Sequence, residues 1–187
     1  MGDVDNISKE GDMKIDFLLG DFLSLLNPRE AHVMRRVIRS IGDLDLVGTL
    51  RFSKNALTVG PELVRKGVLV DTRMAKAGLG NLGIYVEPRT RTNKYFSQDI
   101  VESWREVMNG KAVMIGTSPL ALGKLLELIN EGFRPGLVIG VPVGFVNALR
   151  LKYMLSKNNS VEYITNISVK GGVSLGVSLV KALMEIE

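Results

Sequence analysis

The chain has 187 residues, 45% of them hydrophobic, and this balance is typical of a single globular domain with a full-sized core. It contains no cysteine, which excludes disulfides and thiolate metal sites and fits a cytoplasmic protein. The polar first residues carry no signal-peptide core, and no apolar run approaches the roughly 20 residues that cross a bilayer. The net charge of +4 is accompanied by arginine clusters, and such clusters attract polyanions.

The N-terminal part of the chain is predicted to form two helices. Residues 1–12 are polar and are expected to be mobile. The sequence predicts a short apolar helix over Asp16–Leu26. Asn27 marks a second helix start, because its side chain can cap the helix while Pro28 suits the first helical position. The apolar residues that follow recur at helical spacing, and this helix is predicted to end at Gly42.

The rest of the chain alternates between helices and short strands. A helix is predicted from Ser53, with an interruption at Gly60-Pro61. Five short, mainly apolar runs are predicted strands: Val68–Val70, Ile84–Val86, Ala112–Ile115, Leu137–Ile139 and Val161–Ile164. Later helices are predicted over Ser97–Met108, Pro119–Asn130, Gly144–Ser156 and Gly171–Ile186. This alternation predicts an α/β fold: a single three-layer domain over residues 13–187, with a mainly parallel five-stranded sheet, helices on both faces and an N-terminal helical segment.

The loops after the predicted strands are the candidate binding site. Ligands of open parallel sheets bind beyond the carboxyl ends of the strands. The loops expected at that edge are Asp71–Arg73, Glu87–Arg91, Gly116–Pro119, Gly140–Gly144 and Thr165–Gly172. Together they carry glycines, hydroxyls and cations but few acids, which suits a ligand with several carboxylates or phosphates.

Each of these features also has a plainer interpretation. Ser118 could simply cap the next helix, and Gly171-Gly172 could be a tight turn. The basic clusters could be solvated surface, a site for an anionic small molecule, or a nucleic-acid surface, since Tyr95 and Phe96 follow one of them. Those clusters are Arg29, Arg35, Arg36 and Arg39, and Arg89, Arg91 and Lys94.

Several common sites are disfavoured. The glycines of Gly78–Gly83 spell G-x-G-x-x-G but precede a strand instead of following one, so they do not predict a dinucleotide site. His32 is the only histidine, so one chain cannot supply a histidine metal cluster or catalytic dyad. We therefore predict no metal ligands.

The stretch Val138–Val146 resembles the I-G-x-P-V-G-F-V motif of the precorrin-8X methylmutases, also called cobalt-precorrin-8 methylmutases or precorrin isomerases. The resemblance is colinear and covers roughly Pro28 to Leu183. Other segments that resemble family motifs are Arg36 with Gly42 and Phe52-Ser53, Asp71 with Met74 and Gly78, Ile115–Leu122, and Lys170–Gly172.

This resemblance implies an isomerase of vitamin B12 (cobalamin) biosynthesis that shifts a methyl group between neighbouring carbons of a corrinoid ring. It implies an anionic corrinoid substrate, no separate cofactor, and a cytoplasmic homodimer with the site near the interface. At the position of the family's proton-donating histidine this chain has Arg39, which is therefore the implied catalytic position. The implied substrate-binding residues are Arg36, Asp71, Thr72, Arg89, Arg91, Thr117, Ser118, Val143, Gly144, Phe145, Lys170, Gly171 and Gly172.

Two other functions remain open at this stage. The chain could bind or deliver a tetrapyrrole without catalysis, because the implied proton donor is absent. It could also be a basic nucleotide-binding or nucleic-acid-binding module, although nucleic acid is the less favoured partner. No membrane partner is predicted.

Overall fold

The computed structural model describes the backbone of residues 2–187, and the side chains from Asn6 onward. The helices are α1 Gly2–Leu23, α2 Pro28–Ile41, α3 Leu46–Thr49, α4 Ala56–Arg65, α5 Arg73–Leu79, α6 Phe96–Glu102, α7 Pro119–Asn130, α8 Ala148–Ser156 and α9 Val173–Met184, with a 3-10 turn at Gly80–Leu82. The strands are β1 Leu50–Phe52, β2 Val68–Val70, β3 Gly83–Ile84, β4 Ala112–Ile115, β5 Leu137–Gly140 and β6 Tyr163–Asn166. No helix in this range is long and apolar enough to span a membrane.

The strands form one sheet in the order β1-β6-β5-β4-β2-β3. Neighbours are parallel except β1, which pairs antiparallel with β6. The predicted α/β fold is confirmed, but the predicted count of five strands was one too low. The missed strand, Leu50–Phe52, has an exposed arginine at its centre and lies at the edge of the sheet, so it lacks the wholly apolar pattern of a buried strand.

The sheet separates two hydrophobic cores, and successive residues of one strand alternate between them. Val68 and Val70 of β2 face one core, whereas Leu69 faces the other. Helices α2, α4, α5 and α9 supply the first core, and α6, α7 and α8 supply the second. Both faces are covered, and this explains why the inner strands β2, β4 and β5 are apolar throughout.

The first helix differs from its predicted bounds of Asp16–Leu26. Helix α1 runs from Gly2 to Leu23 and packs on α2. The mobility expected of residues 1–12 stays a prediction, and Met1 lies outside the described residues. Acidic side chains of α1 pair with arginines of α2: Asp12 Oδ2 lies 2.5 Å from Arg39 Nη1, and Asp16 Oδ1 lies 2.8 Å from Arg35 Nη2. The polar sequence therefore reflects an ionic contact between two helices, which its composition alone did not reveal.

Helix α2 begins and ends as predicted. The side chain of Asn27 accepts a hydrogen bond from the main-chain nitrogen of Glu30 at 2.9 Å, and Glu30 completes the capping box. Gly42 ends the helix in the left-handed conformation, with φ of 71°. Local residue preferences were sufficient to predict both ends of α2, because each capping residue and its partner lie within a few positions of each other along the chain.

The interruption predicted at Gly60-Pro61 does not occur. Helix α4 continues through Pro61, which lacks the N–H that would bond to the carbonyl of Leu57. Arg29 Nη1 donates to that carbonyl at 3.2 Å instead. A long-range partner therefore satisfies the group that proline leaves unpaired, and sequence reasoning had no access to it.

Two later helices are shorter than predicted. Helix α6 ends at Glu102 instead of Met108, and the chain continues in turns. Helix α8 starts at Ala148 instead of Gly144, because Asn147 adopts a left-handed conformation with φ of 65° that ends the preceding loop.

Candidate active site

The strand order reverses between β2 and β4, and the candidate site lies at that reversal. From β2 the chain turns into α5 on one face, and from β4 it turns into α7 on the other. The two loops diverge and leave a crevice at the carboxyl edge, where ligands of such sheets bind. A cleft of about 540 Å³ lies there. Its lining residues are Asp71, Thr72, Arg73, Tyr85, Glu87, Arg91, Phe96, Ser97, Ile100, Thr117 and Ser118.

Asp71 is the buried acid of this cleft, with only 1% of its surface exposed. Its Oδ2 accepts a hydrogen bond from the main-chain N–H of Thr117 at 2.9 Å. Its Oδ1 is buried and has no hydrogen-bond partner among the described residues. Burial raises the pKa of Asp71, and the N–H groups of Thr117, Gly116 and Ser118 oppose that rise only in part. The carboxyl therefore holds a proton more readily than an exposed aspartate.

Hydroxyl groups of the two diverging loops cap the helices that follow them. Thr72 Oγ1 accepts from the main-chain nitrogen of Ala75 at 3.1 Å. Ser118 Oγ accepts from Ala121 at 3.4 Å and donates to Ser97 Oγ at 3.1 Å. The plainer interpretation of Ser118 as a helix cap is thus confirmed, while Thr117 keeps an exposed side chain in the same cleft.

The loop after β3 supplies the basic wall of the cleft. The Arg91 guanidinium lies over the Phe96 ring, 4.7 Å from its centre, and forms no ion pair with any described residue. Arg73 Nη2 instead lies 2.7 Å from Glu87 Oε2, so those two charges are already paired. Arg91 is therefore the cation of the cleft that is available to an anionic ligand.

Asp99 holds this basic loop in place, a role that sequence reasoning missed. Its Oδ1 accepts hydrogen bonds from the main-chain nitrogens of Thr92 and Asn93, at 3.0 and 2.9 Å, and from the Asn93 side chain at 2.9 Å. The Asn93 bonds lower the pKa of Asp99. In the sequence, Asp99 is only an aspartate near the start of a helix, and this pattern does not indicate which groups its side chain binds.

Arg89 lies outside the cleft. It lines a neighbouring cavity of about 340 Å³, together with residues such as Glu102, Arg105 and Glu106. Adjacent positions in one loop are thus divided between two surface depressions.

The loops after β5 and β6 bind each other. The main-chain nitrogen of Gly172 donates to the carbonyl of Val141 at 2.8 Å, and that of Gly144 donates to Val169 at 3.0 Å. Gly144 and Gly172 are predicted substrate-binding residues, but their N–H groups are used within the protein, because the two loops lie side by side at the end of neighbouring parallel strands.

The close approach of these loops requires glycine at position 171. A Cβ atom there would overlap the carbonyl oxygen of Val141 and lie 3.0 Å from that of Pro142. Gly171 is thus the point at which one backbone lies directly on another.

The tip of the loop after β5 is apolar and exposed. Phe145 is 90% exposed and Val146 76% exposed, and Val143 is also exposed. Exposed aromatic and branched side chains in one tight loop are typical of a contact surface. None of the three lines the Asp71 cleft within one chain.

The remaining predicted cations are already paired. Arg39 pairs with Asp12, and Lys170 Nζ lies 3.0 Å from Asp43 and 2.6 Å from Asp45. Arg36 Nε lies 2.8 Å from Glu185 Oε1, beyond the far end of α9. Because α9 starts at the carboxyl edge and its length is about 18 Å, Arg36 lies toward the opposite edge of the sheet.

One chain thus gathers only part of the predicted site. Five of the predicted residues line the cleft: Asp71, Thr72, Arg91, Thr117 and Ser118. The others lie in the neighbouring cavity, in the loops after β5 and β6, or on α2. Arg73 and Glu87, which belong to the predicted loops, also line it, and Tyr85, Phe96, Ser97 and Ile100 complete it and were not predicted. The one sequence feature that pointed to any of these four was the position of Phe96 next to the basic cluster.

These features define an α/β domain with a ligand cleft at the carboxyl edge, where the strand order reverses. A family model described as Precorrin-8X methylmutase matches residues 15–186, and the chain belongs to this family. This confirms the predicted family, an isomerase class and a role in cobalamin biosynthesis.

Individual relatives agree with this assignment. The chain is 33% identical over 166 residues to a precorrin-8X methylmutase from Pseudomonas aeruginosa, covering 79% of this chain and 80% of that protein. It is 30% identical over 182 residues to a cobalt-precorrin-8 methylmutase from Methanocaldococcus jannaschii, covering 91% and 86%. A crystal structure of precorrin-8X methylmutase from Thermus thermophilus matches with a TM-score of 0.75 and 32% identity, covering 85% of this chain and 86% of that one.

Proposed function

We propose that this chain isomerises precorrin-8X or its cobalt-containing form by shifting a methyl group between neighbouring carbons of the corrinoid ring. The names of its relatives, precorrin-8X methylmutase and cobalt-precorrin-8 methylmutase, support the substrate class. The observation that carries the proposal is the cleft between the β2 and β4 loops. It joins a buried acid, Asp71, to a basic wall at Arg91.

The cleft suits a flat polycarboxylate on physical grounds. Arg91 would bind a carboxylate of the substrate, and the hydroxyls of Thr72 and Thr117 would donate to others. Phe96 and Ile100 add an apolar surface for the ring. The same cleft offers no second cation free of an internal ion pair, because Arg73 is paired with Glu87.

The wider binding surface is proposed to form at a homodimer interface. The exposed tip with Val143, Phe145 and Val146 would pack against a second copy and bring the loops after β5 and β6 near a shared site. Lys170 would then turn from Asp43 and Asp45 toward a substrate carboxylate. The absence of cysteine and the soluble nature of the proposed substrate support a cytoplasmic location.

Turnover by the pure protein tests this function. Cobalt-free and cobalt-containing precorrin-8 are each incubated with the enzyme, and the product is followed by its absorbance spectrum and by the NMR resonance of the migrating methyl group. Mass remains constant, because substrate and product are isomers. Conversion to hydrogenobyrinate or cobyrinate supports the proposal.

Two other outcomes contradict it. Tight binding of the corrinoid product without conversion would identify a tetrapyrrole-binding protein instead. Retention on DNA or RNA that falls steeply with salt, together with no corrinoid binding, would identify a nucleic-acid module. An Arg39→His variant tests the implied catalytic position: a rise in turnover would support it, and an unchanged rate would not.

A further inference from the structure

We propose that Asp71, in its protonated form, is the catalytic acid that delivers a proton to the corrinoid ring and takes it back after the methyl shift. This inference rests on the proposed function. It assigns to Asp71 a chemical role, where the family resemblance implied only a contact with substrate.

The two oxygens of Asp71 differ in a way that suits a proton donor. Oδ2 is fixed by the N–H of Thr117 at 2.9 Å, so the plane of the carboxyl is set by the backbone. Oδ1 is buried and unpartnered among the described residues, and Asp71 lines the cleft. An ionised oxygen without a partner is costly to bury, so the surroundings of Oδ1 favour the protonated carboxyl.

Among the described residues, no charged side chain pairs with Asp71. The titratable groups that line the same cleft are Arg73, Tyr85, Glu87 and Arg91, whereas α6 contributes Phe96, Ser97 and Ile100, and the cap of α7 contributes Ser118. Arg73 is paired with Glu87, and Arg91 lies over Phe96. Neither cation forms an ion pair with Asp71, and the raised pKa of Asp71 agrees with this arrangement.

Other acids of the chain are less suited to this task. Glu87 lines the cleft but is exposed, and it is paired with Arg73. Arg39 is held in an ion pair by Asp12. His32 lies 3.5 Å from Glu185, beyond the far end of α9 and away from the carboxyl edge. Asp71 is therefore the buried acid that lines the cleft.

The chemistry balances with this single group. A methyl group that migrates with its bonding electron pair needs an electron-poor carbon beside it, and protonation of the conjugated ring creates one. The old carbon–carbon bond breaks as the new one forms, and the product cation then returns the proton to the Asp71 carboxylate. Substrate and product are isomers, so no oxidant, reductant or further reactant is required.

The test compares Asp71→Asn with wild-type protein. Asparagine retains an oxygen that can accept the Thr117 hydrogen bond, but it has no acidic proton. We expect kcat to fall by about 10²-fold or more, while the Kd for the product hydrogenobyrinate changes less than about threefold. In the wild type, kcat falls as pH rises through the raised pKa of Asp71, because the acid loses its proton. The Glu106→Gln variant, which removes an exposed carboxylate outside this cleft, keeps this pH dependence.

A second measurement does not depend on turnover or on the folding of a variant. Carbon-13 labelling of aspartate side-chain carboxyls in the wild-type chain allows each to be titrated by NMR. We expect one aspartate to retain its proton at higher pH than all the others.

The outcomes separate the two proposals. A wild-type protein that isomerises precorrin-8 while Asp71→Asn retains its rate overturns the role of Asp71 alone. A titration in which no aspartate retains its proton to higher pH than the others also overturns the role of Asp71. A wild-type protein that does not convert the substrate overturns both.

Discussion

The buried ammonium of Lys152, on α8, donates a hydrogen bond of 2.7 Å to the main-chain carbonyl of Lys170, in the loop after β6. The side chain of Asn166 joins the pair, since it accepts from Lys152 Nζ at 3.1 Å and donates to the Lys170 carbonyl at 2.8 Å. Burial lowers the pKa of Lys152 to about 8. This contact ties the loop after β6 to α8.

The first prediction concerns the pH dependence of stability. Because the pKa of Lys152 is lower in the folded chain, the unfolded chain binds more protons at this site between about pH 8 and pH 10. We expect the contribution of Lys152 to the free energy of unfolding to increase with pH across that window, by about 1–3 kcal/mol. Urea denaturation at each end of the window measures it.

Two variants make this test specific. Lys152→Met removes the titrating group, so the increase should disappear from its denaturation curves. Lys111→Met removes an exposed lysine, and its free energy of unfolding should still increase with pH. An increase of equal size in all three proteins would show that Lys152 is not its source.

The second prediction concerns the contact between the β5 and β6 loops. Gly171→Ala should lower the free energy of unfolding by about 1–3 kcal/mol, because the new methyl group would overlap the Val141 carbonyl. Turnover should fall with it, since the displaced loops shape the carboxyl edge. Gly20→Ala is the matched control: it lies inside α1 with no atom near the added methyl, so stability should rise by about 0.5–1 kcal/mol. Equal stability of Gly171→Ala and wild type would refute the overlap.

The third prediction separates the two arginines of the β3 loop. Arg91→Ala should weaken binding of hydrogenobyrinate about tenfold, because Arg91 is the unpaired cation of the cleft. Arg89→Ala should weaken it less than about threefold, because Arg89 faces the neighbouring cavity. Titration calorimetry measures both, and the Arg91 effect should shrink at high salt. A larger loss in Arg89→Ala would place the ligand in the other cavity.

The fourth prediction concerns assembly. We expect the wild type to be a dimer by light scattering and Phe145→Asp to be a monomer, because a charge at the exposed tip would be buried without a partner. Phe17→Asp is the control, since Phe17 is 89% exposed on α1 and offers a competing apolar surface. If only Phe17→Asp dissociates, the interface lies on α1 instead. If the wild type is a monomer, the exposed tip has another role.

Local sequence patterns were sufficient where all partners lie close together along the chain. The Asn27 capping box, the Gly42 helix end and the helix cap at Ser118 depend on residues within about four positions, and all were predictable. The inner strands were predictable as well, because burial on both faces demands a wholly apolar run. The edge strand Leu50–Phe52 escaped prediction because its central arginine faces solvent.

The sequence by itself determined the α/β class and the family, since these follow from apolar periodicity and from glycine and proline motifs, and it predicted a site at the carboxyl edge. Only the tertiary structure decided which predicted groups are free to act. Asp12 neutralises Arg39, the β6 loop occupies the Gly144 N–H, and burial leaves Asp71 with one fixed and one unpartnered oxygen. The physical reason is that the pairing of a charge, the use of an N–H donor and the pKa of a carboxyl depend on partners that are distant along the chain. Those partners become neighbours only when the chain folds.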